Sequence, residues 1–334
     1  MLAAIESWLR AGYPAAGQWQ PGGSWTLALL PGGPAGGKLI ALAWPRGGHA
    51  PSLVVKWPRD PSGNARLAAE HAALQQLRAL GPSGLETPRP VARTVIHGRQ
   101  VTAETALPGW SWSMHAAAHP ARLLSSLRRL TPVAGWLTGL AARTARAATP
   151  AQSAAQVIAP LAVEHGSWPV GSRERAVLAD LADRAAVLST TRPLSLVFTH
   201  NDVGPANLLV DRRGSPTGLI DWEGGGLGLP AADLLYCLVR VAVVQAGHDG
   251  DPVAAFREVL LHGGRGAAVA GRWLALYCRR AAVDPAWLPV LLAVTWIGHV
   301  QNEARRGGPG TFRAQLAAYL THPDGFVGAR EGSL

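Results

Sequence analysis

The segment Phe198-Thr199-His200-Asn201-Asp202-Val203-Gly204-Pro205-Ala206-Asn207-Leu208-Leu209-Val210 runs through Asp211-Arg212-Arg213-Gly214 to Ile220-Asp221-Trp222. It collects residue types suited to phosphoryl transfer. Asp202 is a carboxylate able to accept a hydroxyl proton. Asn207 follows five residues later and Asp221 fourteen after that, beyond a turn. An amide oxygen and a second carboxylate, carried by short strands on either side of 211–214, make the hard-oxygen donor set that Mg²⁺ takes. A plain strand–turn–strand hairpin with Asp and Asn as turn formers has the same composition. The reading therefore depends on partners elsewhere in the chain.

The first partner is a lysine. Of 31 basic residues only Lys38 and Lys56 are lysines; the others are arginines. A compact ammonium that persists against such a bias points to a chemical need that a planar guanidinium does not meet. Lys56 closes the apolar run Ser52-Leu53-Val54-Val55, which reads as a short buried strand. Glu70 stands fourteen residues later in an Ala- and Leu-rich stretch, 64–80, that reads as a helix with Asn64 as its cap.

Strand lysine, helix glutamate, His200-x-Asp202-x-x-x-x-Asn207 and Ile220-Asp221-Trp222, in that order, resemble the aminoglycoside phosphotransferase and choline kinase-like family, a branch of the protein-kinase-like fold. Asn201 stands where that family commonly has Gly, and Asn tolerates the left-handed backbone better than most residues. The resemblance implies ATP and Mg²⁺ as cofactors. Lys56, positioned by Glu70, would hold the α- and β-phosphates, and Asn207 and Asp221 would bind the metal. Asp202 would be the catalytic base. His200 would fix the loop, and Asp233 would brace it through backbone N–H groups. Glu104-Thr105-Ala106-Leu107-Pro108-Gly109 resembles the connector between lobes, so Glu104 and Ala106 are expected at the adenine. Glu223 is open to a role at a second metal or to none. The acceptor is expected to be a small hydroxylated molecule. A non-catalytic nucleotide-binding module of the pseudokinase type is the alternative, but its expected mark, loss of a metal or base residue, is missing. A protein-kinase activation loop is not indicated, since neither Asp-Phe-Gly nor Ala-Pro-Glu follows Asp221.

Lys38 suggests another chemistry. Gly32-Gly33-Pro34-Ala35-Gly36-Gly37-Lys38 has the spacing of a Walker A loop, yet Leu39 stands where Ser or Thr is needed. The residues after it read as a strand, whereas that loop must open a helix. A Gly-rich hairpin joining 24–30 to 38–44 is the better account, with or without phosphate contact.

Chain length and composition agree with a folded enzyme. A chain of 334 residues can bury a large core and divide in two. Its 48% hydrophobic and 16% charged content is that of a globular protein, not a disordered one. The fold class expected is α+β: a bilobal protein-kinase-like fold with a small antiparallel-sheet lobe, 1–106, and a larger, mainly helical lobe, 107–334. The small lobe takes three strands from 24–57, the helix 64–80 and two strands in 90–106 around a turn at His97-Gly98. Helix candidates beyond it are 121–130, 133–147, 173–188 with Ser172 as cap, 230–246, 252–261, 267–282, 285–305 and 311–320.

No run reaches membrane-spanning length, and the N-terminal residues make a poor secretory signal. Cys237 and Cys278, both in apolar helical contexts, make no disulfide scaffold, and cytoplasmic residence is expected. The formal charge of +10 is spread along the chain in Arg pairs with no nucleic-acid-binding signature, so no nucleic-acid partner is expected. The same distribution disfavours a polycationic acceptor. The acceptor's identity and the oligomeric state carry no motif.

Overall fold

The computed structural model describes residues 1–12, 24–30, 37–81, 84–162, 171–245, 250–261 and 265–328. Most of the Gly-rich hairpin loop, 31–36, lies outside the described residues. The chain divides into two compact units, Met1–Gly109 with Thr217–Gly225, and Trp110–Pro216 with Gly226–Leu334.

The first unit is built on a five-stranded antiparallel sheet. Its strands are β1 (Trp25–Leu29), β2 (Lys38–Pro45), β3 (Leu53–Pro58), β4 (Pro90–Ile96) and β5 (Arg99–Thr105), in the order β1-β2-β3-β5-β4. The hairpin from β4 to β5 turns at His97 and Gly98, both with positive φ (50° and 73°), the backbone that such a tight turn needs. Strand alternation divides the side chains between two faces. Ala41, Ala43, Leu53, Val55, Trp57, Val101 and Ala103 share one core with Ile5 and Leu9 of α1 (Leu2–Ala11). Residues of opposite parity, Lys56 and Glu104 among them, fall on the other face, where β3 and β5 meet α2 (Asn64–Leu80). Glu70 lies on the buried side of α2 with Leu67, Ala73, Leu74 and Leu77.

Asn64 is not the cap of α2. Gly63 holds that position, and the Asn64 side chain instead ties the helix start to the β4–β5 turn, donating to Gly98 O (3.0 Å) and accepting from Gln100 N (2.7 Å). The returning stretch Thr217–Gly225 joins this unit through Glu86, which donates to Thr217 O and accepts from Leu219 N, both at 2.9 Å.

The second unit is mainly helical. Leu288–Arg305 is buried continuously from Leu288 to Ile297 and touches the helices Ala232–Gln245, Ser172–Thr191 and Thr311–Thr321. Trp296 Nε1 donates to Gln315 Oε1 (3.1 Å), and Gln315 Nε2 donates to Pro252 O (2.9 Å), so both of these buried side chains are bonded.

Several boundaries differ from expectation for local reasons. Helix 133–147 stops at Thr144, and Arg146–Ala147 pairs with strand Ser195–Thr199. Ser172 is the first helical residue, not the cap; Gly171 precedes it, and Glu174 accepts from Gly171 N (2.9 Å). Helix Trp112–Ala118, capped by Ser111, is too short to show an apolar period. Among the described residues no helix is long and apolar enough to cross a membrane.

Candidate functional site

Each unit carries one half of the expected set. In the first, β3 delivers Lys56 to the face covered by α2. Its Nζ lies 2.5 Å from Glu70 Oε1 and 2.8 Å from Glu104 Oε1, and all three residues are nearly inaccessible. The second carboxylate follows from strand register. Val54 pairs with Glu104 and Lys56 with Thr102, so Lys56 and Glu104 are diagonal neighbours on one face. Burial alone would lower the Lys56 pKa, but Glu104, Glu70 and Asp221 outweigh it and hold the ammonium above its ordinary range. Lys56 is thus a buried permanent cation. Burial pushes the Glu104 carboxyl up, against the pull of Lys56.

The strand residues Thr217–Leu219, pinned to Glu86, lead directly to Asp221. Trp222 is fully buried, and its Nε1 donates to Leu219 O (3.1 Å). Asp221 has φ 69°, left-handed backbone that Asp accepts more readily than most residues. Its Oδ1 takes a hydrogen bond from Lys38 Nζ, which also lies 2.9 Å from Glu223 Oε2 and 3.9 Å from Glu70 Oε2. Both lysines of the chain therefore share Glu70 and the field of Asp221, with Glu104 beside Lys56 and Glu223 beside Lys38. Lys38 opens β2 and forms no part of a helix N-terminus, as its failed Walker context requires. A cation already seated between Asp221 and Glu223 means that these oxygens face a common cationic position. Hard carboxylate donors so arranged fit Mg²⁺.

At the connector, Ala106 N donates to Ser52 O (2.9 Å), so that N–H is committed within the sheet. Its carbonyl and the N–H of Leu107 follow as the next groups that could meet a base. The Glu104 side chain lies on the Lys56 face.

In the second unit the loop from His200 to Asn207 follows strand Ser195–Thr199, which pairs with Gly226–Gly228 and Arg146–Ala147. His200 is fully buried, and its Nδ1 accepts from Asp202 N (3.2 Å). Asn201 has φ 66°. Asp233, in the first turn of Ala232–Gln245, accepts from His200 N (2.7 Å) and Asn201 N (2.8 Å). Burial pushes its carboxyl up to about 6, against those two N–H groups, which favour the ionised form.

Asp202 is exposed. Its Oδ1 accepts from Tyr236 Oη (3.0 Å) and its Oδ2 from Asn207 Nδ2 (3.1 Å), while Asn207 Nδ2 also donates to Asp202 O (3.0 Å). With the amide nitrogen so engaged, the Asn207 amide oxygen, the atom a metal would take, is kept out of these bonds. Tyr236 is the residue that sequence reading missed. It lies three residues after Asp233 on the same helix, and that spacing places both on one face toward the loop. The Tyr236 ring stacks on His299 (4.2 Å between centroids), which stacks on Phe312 (4.9 Å), with Arg240 5.8 Å from the Phe312 centroid.

Residues 35–277 match the family described as "Phosphotransferase enzyme family". No curated protein matches the chain. Among solved structures it is similar to aminoglycoside 2'-phosphotransferase-IIIa in its GDP complex, at a TM-score of 0.52 and 14% identity, over 89% of this chain and 91% of that one. It is also similar to the GDP and kanamycin complex of APH(2")-IIia, at a TM-score of 0.50 and 15% identity, over 90% of this chain and 93% of that one. At such identities the likeness is one of fold, the α+β protein-kinase-like fold.

Proposed function

The chain belongs to the phosphotransferase enzyme family, and from that premise we propose that it is an ATP- and Mg²⁺-dependent phosphotransferase acting on a hydroxyl of a small neutral or anionic molecule. The observation that carries this reading is the buried Lys56, paired with Glu70 and Glu104 and within the electrostatic reach of Asp221. A fully buried ammonium kept charged by two carboxylates is a fixed positive point against which nucleotide phosphates are held.

The roles divide by chemistry. Lys56 binds phosphate oxygens, and Glu70 and Glu104 fix its position. Asn207 and Asp221 are the ligands proposed for the metal, which when bound would neutralise charge on the transferring phosphoryl group. Asp202, its two oxygens oriented by Tyr236 and Asn207, aims the acceptor hydroxyl and takes its proton as that oxygen bonds to phosphorus and the nucleoside diphosphate leaves. Asp233 and His200 hold the loop that carries Asp202. With Ala106 N–H committed to Ser52, Leu107 N–H is the connector donor proposed for the base.

Both structural neighbours hold GDP, so the choice between ATP and GTP is part of the test. The preference for a neutral or anionic acceptor rests on the scattered acids and more numerous arginines from 234 onward, and Arg240 beside Phe312 is one of those arginines.

A coupled ADP-release assay over a panel of sugars, polyols, amino alcohols and aminoglycosides, with ATP and with GTP, tests the proposal. Transfer to an uncharged or acidic hydroxyl compound is expected, and it should vanish in Asp202→Asn while calorimetric Mg-nucleotide affinity persists. Nucleotide binding without transfer to any acceptor would favour a non-catalytic module instead.

A further inference from the structure

Lys38 is a basic residue near Asp221 that the phosphotransfer reading does not use. Its ammonium is surrounded by oxygens of three carboxylates: Asp221 Oδ1, Glu223 Oε2 at 2.9 Å and Glu70 Oε2 at 3.9 Å. The last atom is informative. Glu70 is almost wholly buried and gives its Oε1 to Lys56, yet its Oε2 is buried without a hydrogen-bond partner among the described residues. A buried carboxylate oxygen in that condition is costly unless a cation comes to it, and it is directed toward the position that Lys38 approaches but does not bond. The Asp221 and Glu223 side chains are 29% and 31% exposed and that of Lys38 14%, so the cluster opens to solvent at Asp221 and Glu223.

We infer that the Lys38 ammonium is a built-in competitor of the divalent metal: it bonds the Asp221 carboxylate and must withdraw before Asp221 can ligate Mg²⁺. The inference rests on the reading of Asp221 as a metal ligand. An ammonium and a divalent ion at contact distance on one carboxylate oxygen repel each other strongly, so the two compete there. The flexible four-carbon stem of lysine permits the withdrawal, which the planar fork of arginine would hinder. That requirement accounts for a lysine at position 38 in a chain that otherwise uses arginine almost throughout. The consequence is a coupling between sites. Phosphates arriving with the metal offer the released ammonium a new partner, so metal alone binds weakly and metal with nucleotide binds together.

The test measures Mn²⁺ binding to the nucleotide-free full chain by electron paramagnetic resonance, in wild type, Lys38→Met, Asp221→Asn and the double variant. Lys38→Met should bind Mn²⁺ about tenfold more tightly than wild type or better, and adding Asp221→Asn should remove the gain. Equal affinity in wild type and Lys38→Met, with Asp221→Asn still abolishing binding, overturns the competitor role and leaves the Asp221 assignment intact. Binding indifferent to Asp221→Asn overturns both. If Lys38→Met does not fold, the wild-type protein decides: saturating Mg²⁺ should raise the reductive-methylation rate of Lys38, read by peptide mass spectrometry, several-fold. An unchanged rate in protein shown by calorimetry to have bound Mg²⁺ overturns the inference.

Discussion

Tyr236 Oη donates to Asp202 Oδ1 at 3.0 Å from a ring that is itself stacked on His299. The exposed carboxylate proposed as catalytic base is thus oriented by a hydroxyl whose own position is fixed by aromatic packing. Orientation of this kind contributes to turnover more than to affinity.

Tyr236→Phe keeps the stack and removes only the donor. The kcat of phosphate transfer is expected to fall about tenfold, with nucleotide KM and thermal stability close to wild type. Equal losses in kcat and stability would mean that the hydroxyl serves the fold and not the loop.

Lys56→Met should reveal how much of this residue's work is structural. Removing it leaves Glu70 and Glu104 buried without their cation, so a loss of about 3–5 kcal/mol in unfolding free energy is expected even without nucleotide. Urea denaturation of the apo protein measures it. Glu104→Gln should be milder, because burial already pushes that carboxyl toward its neutral form.

His299 predicts a pH dependence. Burial first, and Arg240 second, push its imidazole down to about 4, below the ordinary 6.5. The groups facing it are Tyr236, Phe312, Trp296 and Arg240. A depressed imidazole contributes stability that is fully present above 6.5 and is lost as pH falls toward 4, since the unfolded chain takes up the proton first. Asp233, raised to about 6, acts with the opposite sign, its contribution falling as pH rises from 3.8 to 6. The comparison with His299→Phe, which keeps an aromatic ring in the stack, isolates the first effect. Between about pH 7 and pH 5 the wild type should lose about 2 kcal/mol more than the variant. Parallel profiles for the two proteins would contradict a buried neutral imidazole.

Gly225→Ala probes the approach of Thr217–Gly225 to α2. A Cβ at Gly225 would stand 3.0 Å from both Ala73 Cβ and Trp222 O, with Ala73 one turn from Glu70 on the same helix. Overpacking there should destabilise the protein by about 1–3 kcal/mol. It should also weaken Mg-nucleotide binding by calorimetry, whereas Gly226→Ala, with open space around its Cβ, should do neither.

Much of this was legible in the chain because it is local. The alternation in 52–56, the helix at 64–80, the turn at His97-Gly98 and the ordered motif from His200 to Asp221 are written in short windows. The α+β, protein-kinase-like fold followed from their order. What escaped was non-local. Glu104 reaches Lys56 through strand register, and Tyr236 reaches Asp202 from a helix whose apolar content suggested only core. The role of Lys38 depends on β2 lying beside β3 and on a stretch 183 residues away returning to the same carboxylates. The caps expected at Asn64 and Ser172 failed because a cap depends on the entry angle of the chain; Asn64 bonds the β4–β5 turn instead.

The return of Thr217–Gly225 to the first unit bears on how the protein can be dissected. A fragment ending at Gly109 would carry both lysines but lack Asp221 and Glu223, and Glu86 would lose its backbone partners Thr217 and Leu219. An excised amino-terminal piece is therefore an incomplete unit with surplus positive charge, and a faithful minimal version needs the distant nine-residue insert spliced back beside Glu86.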